Sequence, residues 1–197
     1  GFVVSDLLSI SGLNGGHATA ATAEEAADSI FKLPGRFSVV VLVPILLAQL
    51  TNEKKWQTKV GALRYLGRLS EHSASQVAES LPLIIPAVST CMWDTKPEVR
   101  VKAKETLTIT TSTIDNVDVI PFLPSLVSCI ATPEEVPECV YKLAATTFVT
   151  EVKAPTLSIM VPLLTRGLSE RKTAILRQTS VIIDNMCKLV ENPEHAH

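Results

Sequence analysis

Glycine and aromatic residues are scarce in this chain, and neither sign of charge is in large excess. Among 197 residues there are 8 glycines, 5% aromatic residues and a net charge of −2. Near-neutrality argues against a wholly basic nucleic-acid module, although it is compatible with a local basic stripe. No phosphate-binding glycine loop, nucleophile elbow or H-E-x-x-H zinc motif occurs. We therefore expect no catalytic centre, cofactor, metal or small-molecule substrate in this segment.

Long apolar runs and paired cysteines are also lacking. The most apolar stretch, residues 37–50, has only 14 residues and contains Pro44, so it is too short to cross a bilayer. The start of the chain has no basic region followed by an apolar core, so we expect a soluble, cytoplasmic protein without a membrane partner. The four cysteines show no C-x-x-C spacing, which favours buried, reduced thiols over a zinc site or disulfides.

The sequence does contain a repeated motif, which consists of two hydrophobic residues, a proline, any residue and a hydrophobic residue. Its prolines are spaced 42, 38 and 38 residues apart, at Pro44, Pro86, Pro124 and Pro162. A period of about 40 residues is typical of helical repeats of the HEAT or armadillo type, in which stacked units bury one another's apolar stripes. We therefore predict an all-α fold, a right-handed α-solenoid of four to five two-helix HEAT repeats, acting as a binding scaffold.

The helical periodicity also predicts boundaries. Four repeats are expected within 36–193, each with a proline-bearing first helix, a polar turn and a second helix; they lie at about 36–71, 74–113, 117–151 and 155–191. In the third repeat the second helix is expected at 136–150. Residues 1–35 are expected to form an N-terminal cap or a degenerate repeat, and 194–197 a tail. Because neither end has the polar face that closes a solenoid, we expect a monomeric fragment of a larger protein.

The second repeat shows the clearest pattern. Asp94 and Arg100 follow Pro86 at the spacing of the HEAT consensus, in which the acidic residue and the arginine bond between neighbouring repeats. We interpret Asp94 and Arg100 as a structural ladder, with Arg100 bonded to an Asp or to a backbone carbonyl. Trp56 and Trp93 lie near the turns between paired helices, where we expect them to close the core rather than to stack on bases.

Basic residues recur in the turns before the second helices and on the second helix of the first repeat. The binding candidates are Lys54, Lys55, Arg64, Arg68, Lys96, Arg171 and Lys172. A row of basic turns along one edge of a solenoid fits a phosphate backbone. The alternative is a solvated edge of mixed sign, because Glu53 and Glu170 stand among the lysines. Three carboxylates around the turn of the third repeat, Glu134, Glu135 and Glu138, are interpreted as complements of a helix N-terminus.

Several stretches resemble the HEAT domain of the translation elongation factor 3 family. They are residues 91–100 (CMWDTKPEVR), 135–138, 144–151, 156–164 (TLSIMVPLL), 166–171 and 181–190 (VIIDNMCKLV). The resemblance covers about residues 36–193 and is strongest from Cys91 onward. Parts of the pattern also resemble the HEAT region of the translational activator that works with the starvation-responsive initiation-factor kinase, which is the alternative family.

The resemblance implies a cytoplasmic ABC-family ATPase that binds the ribosome and promotes release of deacylated tRNA from the exit site during elongation. It implies that ATP and Mg²⁺ bind in cassettes C-terminal to the repeats, so that this segment itself is not an enzyme. The HEAT domain is then expected to contact the small subunit, through ribosomal RNA and ribosomal proteins. The seven basic residues become candidates for ribosome or RNA binding. A generic protein–protein scaffold is the other class of function left open.

Overall fold

The computed structural model describes residues 36–51 and 55–190, together with residues 22, 25, 26 and 29, which are helical. Eight α-helices lie within the two described ranges: α1 (Arg36–Leu50), α2 (Trp56–His72), α3 (Ala74–Cys91), α4 (Pro97–Thr111), α5 (Leu123–Ala131), α6 (Val136–Ala144), α7 (Ala154–Leu168) and α8 (Thr173–Cys187). In these ranges the only β-structure is an isolated bridge between Val152 and Val190, which confirms the all-α prediction. Apart from the four helical residues, the expected cap at 1–35 lies outside the described residues, as does the expected tail at 194–197.

The helices fall into two compact units, residues 1–113 with α1–α4 and residues 114–197 with α5–α8. Helices that follow one another within a unit are joined by short segments and therefore run antiparallel. In the first unit α1 packs on α3 and α2 packs on α4. In the second, α5 packs on α7 and α6 packs on α8. First helices thus stack on first helices and second helices on second helices, as expected of stacked two-helix repeats.

The stacked second helices of the first unit are parallel. The Thr106 hydroxyl of α4 donates a hydrogen bond to the carbonyl oxygen of Leu63 in α2, at 2.9 Å. Further along both helices, Ile109 lies against Gly67. Because the paired residue numbers increase together, the N-terminal ends of α2 and α4 lie at the same end of the unit. Leu63 is fully buried there.

In the second unit an arginine fastens one first helix to the other. Nη1 of Arg166, in the last turn of α7, donates to the carbonyl oxygens of Cys129 at 2.5 Å and Ile130 at 3.1 Å. Those carbonyls belong to the last turn of α5, where a cation is favourable because the C-terminal C=O groups lack helical partners. Since both groups lie at C-terminal ends, α5 and α7 are parallel.

The repeated prolines occupy two different positions. Pro44, Pro86 and Pro162 lie inside α1, α3 and α7. An internal proline leaves one helical carbonyl without its donor, which is tolerable here because these prolines are exposed or half-buried and water can reach the helix. Pro124 instead lies in the first turn of α5, where no N–H is needed. With Pro121 just ahead of it, the third repeat opens with a 3-10 turn at Ile120–Phe122, and its first α-helix begins only at Leu123.

Helix α6 is shorter than the sequence predicts, because it ends at Ala144 and not at 150. The Asp118 carboxylate accepts hydrogen bonds from the backbone N–H groups of Val149 and Thr150, at 2.8 and 2.7 Å. The Asn116 side chain donates to the carbonyl oxygen of Glu151 at 3.2 Å. These two side chains satisfy backbone groups that would otherwise continue the helix, and they hold residues 145–153 as an ordered strap that leads to α7.

Two glycines provide a test of how tightly neighbouring helices pack. A Cβ at Gly167 would collide with Oγ1 of Thr179 and come within 3.1 Å of its Cγ2. Thr179 is fully buried and bonded to the carbonyl of Ile175 at 2.8 Å, so it has little freedom to move. We expect Gly167→Ala to lower the free energy of unfolding by about 1–3 kcal/mol.

The matched variant is Gly67→Ala, whose Cβ would meet Cδ1 of Ile109 at an ordinary 3.5 Å. Alanine is the better helix former, so this change should be neutral or raise the free energy of unfolding by up to about 1 kcal/mol. Urea unfolding followed by circular dichroism measures both. Equal effects of the two changes would contradict the packing described here.

Asp118 predicts a dependence of stability on pH. Burial raises the pKa of this carboxyl, but the hydrogen bonds from Thr150 and Val149 lower it more, so the net pKa lies below the ordinary 3.8. The ionised form thus favours the folded state, and its contribution is complete above the unfolded pKa and lost as the pH falls through the folded pKa. Asp118→Ala should lower the free energy of unfolding by about 1–3 kcal/mol at neutral pH.

The difference in the free energy of unfolding between the native protein and Asp118→Ala should stay constant down to about pH 4 and shrink below it. Asp115→Ala is the control, because it removes an exposed carboxylate three residues away with no hydrogen bond to the strap. Urea unfolding across this pH range gives both quantities. A gap that persists unchanged in strong acid would rule out the ionised carboxylate as the source of the stability.

Candidate functional site

Three of the four second helices begin with an exposed lysine at the N-cap. Lys55, Lys96 and Lys172 hold this position in α2, α4 and α8, each with an extended backbone and without a side-chain hydrogen bond into the first turn. Serine, threonine, aspartate or asparagine is preferred at an N-cap, because their oxygens accept from the unpaired N–H groups. Lysine offers no acceptor and adds a positive charge at the positive end of the helix. In α2 and α8 such a helix end presents N–H donors beside an ammonium group, which suits an anionic ligand. In α4 the donors are fewer, because Pro97 has no N–H, and Glu98 adds a carboxylate to the first turn.

In the first unit two of these lysines lie at one end. Because α2 and α4 are packed in parallel, Lys55 and Lys96 both stand at the end where the second helices begin. Lys54 lies outside the described residues, so the structure does not place it. The structure thus brings together two of the predicted basic turns in the first unit.

The turn that carries Lys96 is fastened to the preceding repeat. The Asp94 carboxylate pairs with Nζ of Lys59 in α2 at 2.7 Å, and both side chains are largely buried. The other oxygen of Asp94 accepts the backbone N–H of Lys96 at 2.9 Å. Burial raises the pKa of Asp94, whereas its bonds to Lys59 and Lys96 lower it, and the net pKa is below 3.8. Asp94 therefore positions Lys96 and joins two repeats at once.

Arg100 stabilises the same turn from its own side. Its Nη1 donates to the carbonyl oxygens of Asp94 at 2.9 Å and Thr95 at 3.2 Å. The side-chain bond between repeats is therefore made by Asp94 to Lys59, while Arg100 bonds to backbone carbonyls of its own repeat. The sequence does not single out Lys59, because α2 also carries the cations Arg64 and Arg68.

The arginines of α2 are less accessible than the lysines. Arg64 and Arg68 are half-buried, and the guanidinium of Arg68 lies over the Tyr65 ring, 5.6 Å from its centroid. Gly61, one turn before Arg64 in the same helix, is buried. This enclosure follows from the position of α2, which packs against α1, α3 and α4. The two arginines stay binding candidates through their exposed portions only.

In the second unit the basic turns are interrupted. Arg171 and Lys172 are exposed at the start of α8. The equivalent turn before α6 instead has exposed Glu134 and Glu135, with Glu135 at the N-cap. Carboxylates at that helix end complement its dipole, in accord with the structural interpretation. The four second helices therefore do not share one charge at their N-terminal ends.

Two sequence interpretations require correction. Trp93 is 55% exposed, so it does not close the core, whereas Trp56 is half-buried. Trp93 lies in the turn after α3. Among the cysteines, Cys91, Cys129 and Cys139 are buried as expected, but Cys187 is exposed because it ends α8.

Neither a metal cluster nor a membrane span is found in the part of the chain that the structure describes. No three His, Cys, Asp or Glu side chains converge there as metal ligands. Among the same residues, every helix falls short of the length and apolarity needed to span a bilayer.

Comparison with known proteins identifies similar sequences along most of the chain. The family described as "EF3 N-terminal HEAT repeat" matches residues 3–107, and the family described as "Elongation factor 3/GNC1 HEAT repeat" matches residues 134–197. Among curated proteins, elongation factor 3 of Phytophthora infestans is 52% identical over 174 residues, which is 88% of this chain and 17% of that protein. Elongation factor 3 of Candida albicans is 47% identical over 194 residues, 97% of this chain and 18% of that protein. Elongation factor 3A of Saccharomyces cerevisiae is 48% identical over 172 residues, which is 87% of this chain and 16% of that protein. The chain thus spans less than a fifth of the length of these relatives.

The bond between Lys59 and Asp94 can be tested against an exposed pair in the same unit. Removing one partner of a largely buried ion pair leaves the other charge uncompensated, so Asp94→Ala should lower the free energy of unfolding by about 3 kcal/mol. The exposed pair Lys102–Glu105 in α4 is the control. Glu105→Ala should change the free energy of unfolding by less than about 0.5 kcal/mol. Urea unfolding measures both, and equal effects would show that Asp94 does not join the repeats.

Proposed function

Starting from a chain that belongs to the EF3 N-terminal HEAT repeat family, we propose that this segment docks an elongation factor 3-like translation factor on the ribosome. The contact is to ribosomal RNA of the small subunit, with ribosomal proteins beside it. ATPase cassettes elsewhere in the full-length protein would drive release of tRNA from the exit site. This segment supplies the docking surface and no chemistry of its own.

The observation that carries the proposal is the set of lysine N-caps, Lys55, Lys96 and Lys172. Lysine is a poor choice for helix stability at that position, since its side chain offers no acceptor to the first-turn N–H groups and its charge opposes the dipole. A phosphate group reverses both disadvantages, because it accepts from the N–H groups and neutralises the ammonium. The net charge of −2 means that attraction has to be local. Local clusters suffice, because screening in physiological salt limits electrostatic interactions to about 8 Å.

The affinity expected from three lysine–phosphate contacts indicates weak docking by this segment alone. If each lysine neutralises one phosphate of folded RNA, the affinity falls with a slope of roughly −0.7 to −0.9 per contact in a logarithmic plot against salt. Three contacts then change the affinity by about 40- to 130-fold between about 50 and 300 mM salt. Tight binding would need further contacts from the rest of the longer protein.

A protein–protein scaffold is a second candidate, favoured by one feature of the first unit. Val40 and Val41 of α1 and Leu83 of α3 are exposed, and the two helices pack together. An apolar partner surface would bind there with little dependence on salt. The HEAT region of the translational activator stays the alternative family assignment for the second unit, because the matching family description names both.

The experiment is co-sedimentation with purified small ribosomal subunits between about 50 and 300 mM salt. The test variant combines Lys96→Ser and Lys172→Ser. It should lose affinity at low salt and reduce the salt slope by roughly 1.4 to 1.8, which is 0.7 to 0.9 for each lysine. At the same time its free energy of unfolding should rise by about 0.5–1 kcal/mol for each new N-cap.

The matched control is Lys153→Ser, which makes the same change at the exposed N-cap of α7. Because α7 and α8 form an antiparallel hairpin, this N-cap lies at the opposite end of the helix pair. The control should gain similar stability and bind as the native chain does. The proposal fails if the test variant and the control sediment alike, and salt-independent binding by all three proteins would favour the scaffold.

A further inference from the structure

Two cysteines of the second unit share one cavity. The cavity has a volume of about 200 Å³ and is lined by Ser125, Cys129, Glu135, Glu138, Cys139 and Lys142. Its lining comes from α5, from α6 and from the 3-10 turn between them. Cys129 and Cys139 are themselves buried, but Glu138 and Lys142 at the rim are mostly exposed and pair at 2.7 Å. A water molecule occupies roughly 30 Å³, so a molecule of the size of a small peroxide fits inside.

The two thiols differ in chemistry because they interact with each other. The Cys139 side chain acts as hydrogen-bond donor to Cys129 and lowers its pKa, against the opposing effects of burial and of Glu135; Arg166 lowers it further. The same hydrogen bond, together with burial, raises the pKa of Cys139, which therefore stays protonated. Cys91 is the contrast within the chain: buried without a second thiol beside it, it has a pKa raised to about 11. A thiolate is the nucleophilic form of cysteine, so Cys129 is the reactive member of the pair.

We propose that Cys129 and Cys139 are a redox modification site, which closes to a reversible disulfide when a small hydroperoxide enters the cavity. With hydrogen peroxide, the Cys129 thiolate attacks one oxygen, the O–O bond breaks and a sulfenic acid forms, while the departing hydroxide takes a proton from solvent and leaves as water. An organic hydroperoxide releases an alcohol in the same step. The sulfur of Cys139 then attacks the sulfur of the sulfenic acid. The S–S bond forms, the S–O bond breaks, and the departing hydroxide takes the Cys139 proton to leave as a second water. The peroxide is the oxidant and the two thiols are the reductant.

The position of the pair on two successive helices gives the disulfide a structural consequence. Cys129 lies in the last turn of α5 and Cys139 in the first half of α6, so the bond would clamp the two helices of one hairpin. The carbonyl of Cys129 is already held by Arg166 of α7. The disulfide would therefore act on the hairpin that this arginine fastens to the next repeat. This site is independent of the lysine N-caps and of ribosome docking.

The test treats the chain at neutral pH with hydrogen peroxide, blocks remaining thiols and maps peptides by mass spectrometry. We expect a linked peptide pair containing Cys129 and Cys139, removed by dithiothreitol and independent of protein concentration. Cys91 provides the internal control and should be oxidised at least roughly tenfold more slowly. Circular dichroism before and after the treatment verifies that the helices persist.

Two serine variants separate the steps. Cys139→Ser retains a hydroxyl donor but no resolving sulfur, so Cys129 should accumulate as a sulfenic acid that dimedone traps. Cys129→Ser should leave Cys139 reduced, and Cys91→Ser should not change the yield of the linked pair. The proposal is overturned if Cys129 in the native chain oxidises no faster than Cys91. It is also overturned if Cys129 of the native chain is oxidised to sulfinic acid while Cys139 stays a free thiol. Both of these outcomes are measured on the native chain, so they do not depend on whether a variant folds.

Discussion

Parallel stacking of helices from successive repeats is the constraint on which the other features depend. In the first unit the hydrogen bond from Thr106 to Leu63 and the contact of Ile109 with Gly67 fix α4 against α2 in one direction. Only that direction places the starts of both second helices at one end. It also brings the turn before α4 close enough to α2 for Asp94 to reach Lys59. The lysines at these helix starts are therefore neighbours because of packing, and their proximity is not encoded by their separation along the chain.

A large part of this architecture is predictable from local pattern. The proline motif recurs at a nearly constant interval. The bounds of α1, Arg36–Leu50, follow from its apolar composition, from Pro34 and Gly35 before it in the sequence and from the polar residues after it. The early end of α6 is not predictable in this way. It depends on Asp118, a side chain 31 residues before Val149, whose carboxylate replaces helical hydrogen bonds. No local pattern contains that information.

In the candidate site, too, some features are predictable from local sequence and others depend on packing. Sequence identifies the basic turns, since a lysine beside a helix start is a local feature. It does not identify which cation pairs with Asp94, because α2 carries Lys59, Arg64 and Arg68 and only packing selects Lys59. It also does not show that the Arg68 guanidinium lies over the Tyr65 ring and that this side chain is half-buried. Membership of a known family supports the proposed class of partner, whereas exposure and helix geometry decide which side chains are available for binding.

The length of chain that each tertiary bond closes has a consequence for synthesis. The hydrogen bonds that Lys59, Thr106, Asn116, Asp118 and Arg166 make to distant segments span 31 to 43 residues, close to one repeat. Closing loops of this size costs little more conformational entropy than forming a helical hairpin does. Folding can therefore spread from one repeat to the next. A chain built in this way can fold while it is being translated, each repeat completing its bonds once the following one has left the exit tunnel. Few unpaired apolar stripes are then exposed at any moment, so the nascent chain has little opportunity to aggregate.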